Sequence, residues 1–258
     1  MRLHVHEWGD RDAPPLVCLH GVTGHGERFR KLAEEHWAAR FRVVAPDLRG
    51  HGRSGWEPPW TFPTHVADVV ETLDALGIGE ADWVGHSFGG RLVLELAAAH
   101  PEHVGRAVLL DPAIQILPHV AQSSADQSRV DAVFTSAEDY AEKRGDGPDT
   151  PRELVLADAE QHCELEPDGN LRRRTSQAAV VSIFGELASP APPPETLRAP
   201  TLLIYAPAYG LVRDEQLATY AGRVEIQAVP GMHMVIWDAY DDVAGAVERF
   251  LENPRAEH

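Results

Sequence analysis

Short, continuous apolar runs alternate with longer stretches of helical spacing along most of this chain. Leu16–Leu19 lies between Pro15 and Gly21, Phe41–Ala45 stops at Pro46, and Ala81–Gly85 and Val104–Leu110 are apolar or nearly so. Runs of this length bounded by turn residues read as buried strands. Leu3–Glu7 alternates apolar and polar positions, the pattern of an edge strand. Between the runs, Gly26–Arg40 places Phe29, Leu32, Ala33, His36 and Trp37 at helical intervals. Thr64–Leu76 does the same before Gly77, and Phe88–His100 before Pro101. Strand and helix in alternation predict an α/β fold with right-handed crossovers, a mostly parallel central sheet and helices on both of its faces.

The rhythm breaks between Pro112 and Leu197. This stretch is polar, charged and helix-prone, with a glycine–proline break at Gly145–Pro151 and a proline cluster at Pro190–Pro194. It predicts a helical cap or lid insertion (112–197) in a core formed by 1–111 and 198–258, because long excursions above an α/β sheet usually serve function. The sheet pattern then resumes with strand Thr201–Ala206, helix Asp214–Tyr220, strand Val224–Val229, loop Pro230–His233 and helix Tyr240–Leu251.

At one junction the local chemistry is specific. Gly85-His86-Ser87-Phe88-Gly89 joins a predicted strand to a predicted helix, the G-x-S-x-G pattern in the strand–turn–helix setting it requires. A serine on so sharp a turn takes a strained backbone, and small residues two positions either side relieve the crowding. The hydroxyl then stands clear of the sheet, and the free N–H groups of the following helix face whatever it attacks.

Composition narrows the partners. The formal net charge of −17 opposes binding to nucleic acid or anionic membranes. No stretch approaches the length of a membrane span and the N-terminal residues lack a signal-peptide core, so a cytoplasmic location is expected. Cys18 and Cys163 read as two buried thiols rather than a disulfide.

A serine hydroxyl needs a base. Of 14 histidines, His36, His65, His100, His103, His119, His162 and His258 read as surface or helix-end residues. His4 and His6 share a strand face, but no carboxylate or cysteine cluster lies near them in sequence, and no metal is expected. His233 lies in a loop between the last strand and the last helix, where a side chain reaches across the carboxyl ends of the strands. It is the predicted general base.

With these residues in hand, the chain resembles the α/β-hydrolase superfamily nearly end to end, in its serine esterase and lipase branch. Leu19-His20-Gly21-Val22-Thr23-Gly24 resembles the family's oxyanion loop, and Asp47 to Ser54 its D-x-R-G-x-G-x-S loop. Gly85 to Gly90 resembles its elbow, and Pro230-Gly231-Met232-His233 its histidine loop. The resemblance implies that Val22 and Phe88 supply the oxyanion-hole N–H groups and that His20 and His86 hold loops. It also implies that an aspartate follows strand Thr201–Tyr205, where this chain has Tyr209.

A neutral phenol cannot stabilise an imidazolium, so the acid is expected at Asp111, which ends what the family counts as its sixth strand. Some relatives place it there. Asp214 is the alternative, with a competing role as helix N-cap, and absence of any acid is the third possibility. The expected reaction is hydrolysis of carboxylic esters through an acyl-enzyme on Ser87, without metal or organic cofactor. Neighbours Val22, Phe88, Ile114, Met232, Met234 and Trp237 suggest an uncharged acyl group. Lactone hydrolysis, carbon–carbon bond hydrolysis of vinylogous diketones and a slow-turnover ligand sensor on the same scaffold stay open, with a perhydrolase side reaction. The expected partner is the small-molecule ester or lactone alone, bound by a monomer or homodimer.

Overall fold

The computed structural model describes residues 1–130, 132–144, 147–148 and 150–252. Seven strands form the main sheet: β1 (Val5–Trp8), β2 (Pro15–Leu19), β3 (Arg42–Pro46), β4 (Ala81–His86), β5 (Val104–Leu110), β9 (Thr201–Tyr205) and β10 (Glu225–Ala228). Their order is β1-β3-β2-β4-β5-β9-β10, with β1 antiparallel to β3 and every other pair parallel. The sheet is mostly parallel and flanked by helices, the α/β architecture the sequence pattern predicts.

Parallel strands covered on both faces need apolar residues on both, which is why the inner runs are continuous rather than alternating. Leu16 and Cys18 of β2 belong to one core, and Val17 and Leu19 to the other. The first core is closed by the short helix α9 (Val235–Asp238) through Val235 and by α10 (Tyr240–Glu252) through Val243, Val247 and Phe250. The second is closed by α2 (Phe62–Ala75), α3 (Phe88–Ala99) and α8 (Asp214–Tyr220). The parallel register aligns the ends that matter: Leu110 of β5 pairs with both His86 of β4 and Ile204 of β9. Whatever follows those three strands therefore emerges side by side.

The expected helix over 26–40 is broken into a 3-10 turn (Gly26–Phe29), a short α1 (Arg30–Leu32) and a wide π turn (Ala33–Trp37). Phe29, Leu32, Ala33 and Trp37 are all buried across these breaks, so the segment keeps one apolar side although the helix is not continuous. Gly26 is wedged against β3, where a Cβ would stand 2.3 Å from the Ala45 carbonyl oxygen.

Segment 112–197 is not purely helical. It holds α4 (Pro118–Gln127), α5 (Ala137–Arg144), α6 (Arg152–His162) and α7 (Gln177–Leu187), together with a small antiparallel sheet. That sheet orders β6 (Val133–Phe134), β8 (Leu171–Arg173) and β7 (Cys163–Leu165). Strands of two or three residues are too short to show a period, so they left no pattern to read. Phe134, Tyr140 and Val155 join the first core, and Ala121, Ile183 and Leu187 the second. Backbone bonds join the segment to the loop after β3: the Gly52 N–H donates to the Arg174 carbonyl (2.7 Å), and the Ser176 N–H to that of Gly50 (2.8 Å). The break expected at 145–151 and His258 fall in part or wholly outside the described residues. No helix among the described residues is long and apolar enough to cross a membrane.

Candidate active site

β4 ends at His86, and Ser87 turns the chain into α3 with φ 55 and ψ −115. Only three described non-glycine residues have positive φ: Thr23, Ser87 and Asp111 (60, 55 and 38). Such strain persists where the surroundings over-determine it. At the elbow they do, because a Cβ on Gly89 would stand 2.1 Å from the Leu19 carbonyl oxygen, and one on Gly85 2.5 Å from that of Gly89. The backbones are packed too tightly there for any other residue.

The level strand ends bring three side chains into one chain of hydrogen bonds. The Ser87 hydroxyl donates to His233 Nε2 (2.9 Å), and His233 Nδ1–H donates to Asp111 Oδ2 (2.7 Å). Asp111 is fully buried, with Oδ1 accepting the Ala206 N–H (3.2 Å) and its own N–H donating to the Ile204 carbonyl (2.7 Å). The stretch that lost the usual acid thus supplies a backbone donor to the acid on the next strand. Tyr209, in that vacated slot, stacks its ring on the His233 imidazole (centroids 4.7 Å apart, planes 15° apart). Asp214 is exposed in the first turn of α8 and touches none of this. The expected N-cap role also fails: Arg213 is the N-cap, and its N–H is held by the Gln216 side chain (3.0 Å).

Two buried histidines position the loops. His86 Nε2–H donates to the His233 carbonyl (2.8 Å), anchoring the histidine loop to the elbow. The Leu48 N–H donates to His20 Nε2, so His20 Nδ1 carries the proton and donates to the Gly21 carbonyl (2.8 Å). Burial first, then the neighbouring His233, hold His86 well below the ordinary histidine range, so it stays a neutral donor. Gly21 in turn lies against the serine, where an added Cβ would sit 3.0 Å from Ser87 Cβ. Val22 follows it, and among the described residues neither the Val22 nor the Phe88 N–H has an acceptor.

The histidine expectations need two corrections. His65 is buried inside α2, and His162, which does end α6 as expected, is buried as well (1% exposed each). His4 and His6 do have a carboxylate beside them: the loop after β3 brings Asp47 within ligand distance. Asp47 is already engaged by His6 Nε2 (3.1 Å) and by the N–H groups of Gly26 (2.8 Å) and Arg53 (2.9 Å). Both cysteines are buried free thiols, and burial raises Cys163 to about 11, so neither competes with the serine as a nucleophile.

These buried neutral histidines fix an acid sensitivity. Burial lowers His51 to about 4 and His65 to about 3, against roughly 6.5 for an unfolded histidine. Between those limits the unfolded chain binds protons that the native state refuses, so stability falls as pH falls. Below about pH 6 and down to about pH 4, these two alone should remove about 3 kcal/mol per pH unit. Denaturant midpoints measured from pH 7.5 to 5 are expected to drop steeply; a flat profile contradicts this.

The space in front of His233 is not the apolar pocket expected. Thr23, Arg28, Tyr140, Arg144, Arg173 and Met232 help to line a cavity of about 400 Å³ there. Phe88, Ile114 and Trp237 are instead buried in the cores, and Met232 and Met234 alone of the expected apolar set reach the cavity wall. Arg144 and Arg173 come from cap elements and Arg28 from the broken helix after the oxyanion loop, and none belongs to a motif that would mark it as a cavity residue.

Comparison with known proteins agrees with the fold. The family model for the alpha/beta hydrolase fold matches residues 14–206. Lipase LipV of Mycobacterium tuberculosis is 37% identical over 232 residues, 86% of this chain and 85% of that one. Esterase YbfF of Escherichia coli is 34% identical over 101 residues, 38% of each chain. Among solved structures, E-2-(acetamidomethylene)succinate hydrolase superposes with a TM-score of 0.89 at 25% identity, over 97% of this chain and 95% of that one.

Proposed function

This chain belongs to the alpha/beta hydrolase family, and we propose that within it the protein is a serine hydrolase that cleaves carboxylic esters through an acyl-enzyme on Ser87. The observation that carries this reading is the unbroken bond chain from the Ser87 hydroxyl through His233 to the buried Asp111 carboxylate. His233 Nε2 takes the proton as Ser87 Oγ attacks the ester carbonyl. Asp111 holds the other nitrogen protonated, which selects the productive tautomer and stabilises the imidazolium. The Val22 and Phe88 N–H groups receive the oxyanion, and the imidazolium then protonates the departing alcohol. Water repeats the sequence and frees the acid.

Segment 112–197 acts as the cap over this centre. The lipase and esterase names of the relatives support an ester as substrate. Lactones and vinylogous diketones suit the same three residues and differ only in the bond presented. The sensor alternative was motivated by the vacant acid slot after strand Thr201–Tyr205, and the bond from His233 to Asp111 supports the hydrolase reading over it.

A fluorophosphonate is expected to label one serine per chain, Ser87, and to abolish turnover of 4-nitrophenyl esters. Those esters should show a burst of one equivalent of 4-nitrophenol wherever deacylation is slow. Label on another residue, or hydrolysis that continues after full labelling, would overturn the reading.

A further inference from the structure

Arg173 lines the cavity in front of His233 and takes no part in the proposed chemistry. It sits on β8 and lines both the cavity at His233 and an adjoining one of about 270 Å³, the two sharing Thr23 and Arg173 as wall. Its guanidinium lies near the rings of Phe134 (5.3 Å) and Tyr140 (5.7 Å). Its Nε–H is enclosed and has no acceptor among the described residues.

The other two arginines of the cavity are satisfied. Arg28 donates Nε–H and Nη2–H to the two oxygens of Asp158 (2.7 and 3.0 Å), and Arg144 donates to the same carboxylate. Asp158 also accepts from His25 (2.8 Å) and from the Tyr140 hydroxyl, so its capacity is spent. Asp238, on the same wall, takes the Met232 N–H (2.9 Å) and the Thr150 hydroxyl. Among the described residues Arg173 has no carboxylate of its own, and Arg28 and Arg144 add positive charge beside it. Burying an arginine is costly unless something answers it. A planar fork of donors facing a cavity is answered best by a carboxylate.

We propose that Arg173 binds a free carboxylate of the substrate, so that the ester cleaved at Ser87 carries an anionic group at its far end. This rests on the ester-hydrolase reading and deepens it. It also replaces the uncharged acyl group expected from the sequence. The alternative is a purely structural arginine, lodged between two aromatic rings.

The test compares mono-4-nitrophenyl esters of glutaric, adipic and pimelic acids with uncharged 4-nitrophenyl alkanoates of matching length. Wild type is expected to favour at least one half-ester by tenfold or more in kcat/KM. Arg173→Met should bring that ratio close to one, and Arg173→Lys should recover part of it. A ratio is insensitive to partial loss of folded enzyme. A wild type with no half-ester preference, or an Arg173→Met ratio equal to wild type, overturns the subsite. Ser87→Ala separates the two readings. Should it hydrolyse these esters like wild type, the acyl-transfer reading falls. Calorimetric binding of free adipate that Arg173→Met abolishes would still uphold the subsite, and no adipate binding to wild type would sink it.

Discussion

Ser87→Ala is expected to lower kcat for 4-nitrophenyl esters by about 10⁶-fold, the scale of nucleophile removal in a serine triad elsewhere. The reason is that no neighbouring group can substitute. Both cysteine thiols are buried, and His233 Nε2 points at Ser87. Alanine keeps the Cβ and therefore the strained backbone at φ 55, so the thermal midpoint should stay near that of wild type. Kinetics and a melting curve on the same preparation check both halves. A residual rate within tenfold of wild type would exclude Ser87 as nucleophile.

Asp111→Asn is expected to cost about 10⁴-fold in kcat with the fold retained, the magnitude seen when a triad aspartate elsewhere becomes its amide. The present bond requires Nδ1–H to donate to Oδ2 at 2.7 Å. An asparagine already gives one bond to the Ala206 N–H through its oxygen, because a backbone N–H can only donate. Its amide nitrogen would then face Nδ1 and force the proton onto Nε2, where it blocks uptake from the serine. Asp214→Asn is the matched control: an exposed residue in the first turn of α8, expected to leave the rate unchanged. Near-full activity in Asp111→Asn alongside a loss in Asp214→Asn would reverse the assignment.

Much of this architecture was legible in the chain because short-range rules dominate it. Strand Val104–Leu110 and helix Asp214–Tyr220 match the apolar pattern residue for residue. The elbow was readable because close backbone approach leaves Gly85 and Gly89 no alternative. Tyr209 could be seen to vacate the acid slot. Nothing local said that its ring would lie flat on His233. The break at 26–37 was missed because Phe29, Leu32, Ala33 and Trp37 keep helical spacing through it and are all buried, so the apolar pattern is the same with or without the interruption. The small cap sheet was missed because its strands are too short to show a period.

The sequence by itself determined the α/β order, the strained serine between its glycines, and the order Ser87, Asp111, His233 along the chain. Those features arise from sterics and hydrophobic burial over a few residues. Only the tertiary structure decided which carboxylate reaches the imidazole and which charges face the cavity. Both depend on strand register and on a cap that brings Arg28, Arg144, Asp158 and Arg173 together from separate elements. Charge acts through space, and residues 130 positions apart in sequence carry no local trace of becoming neighbours.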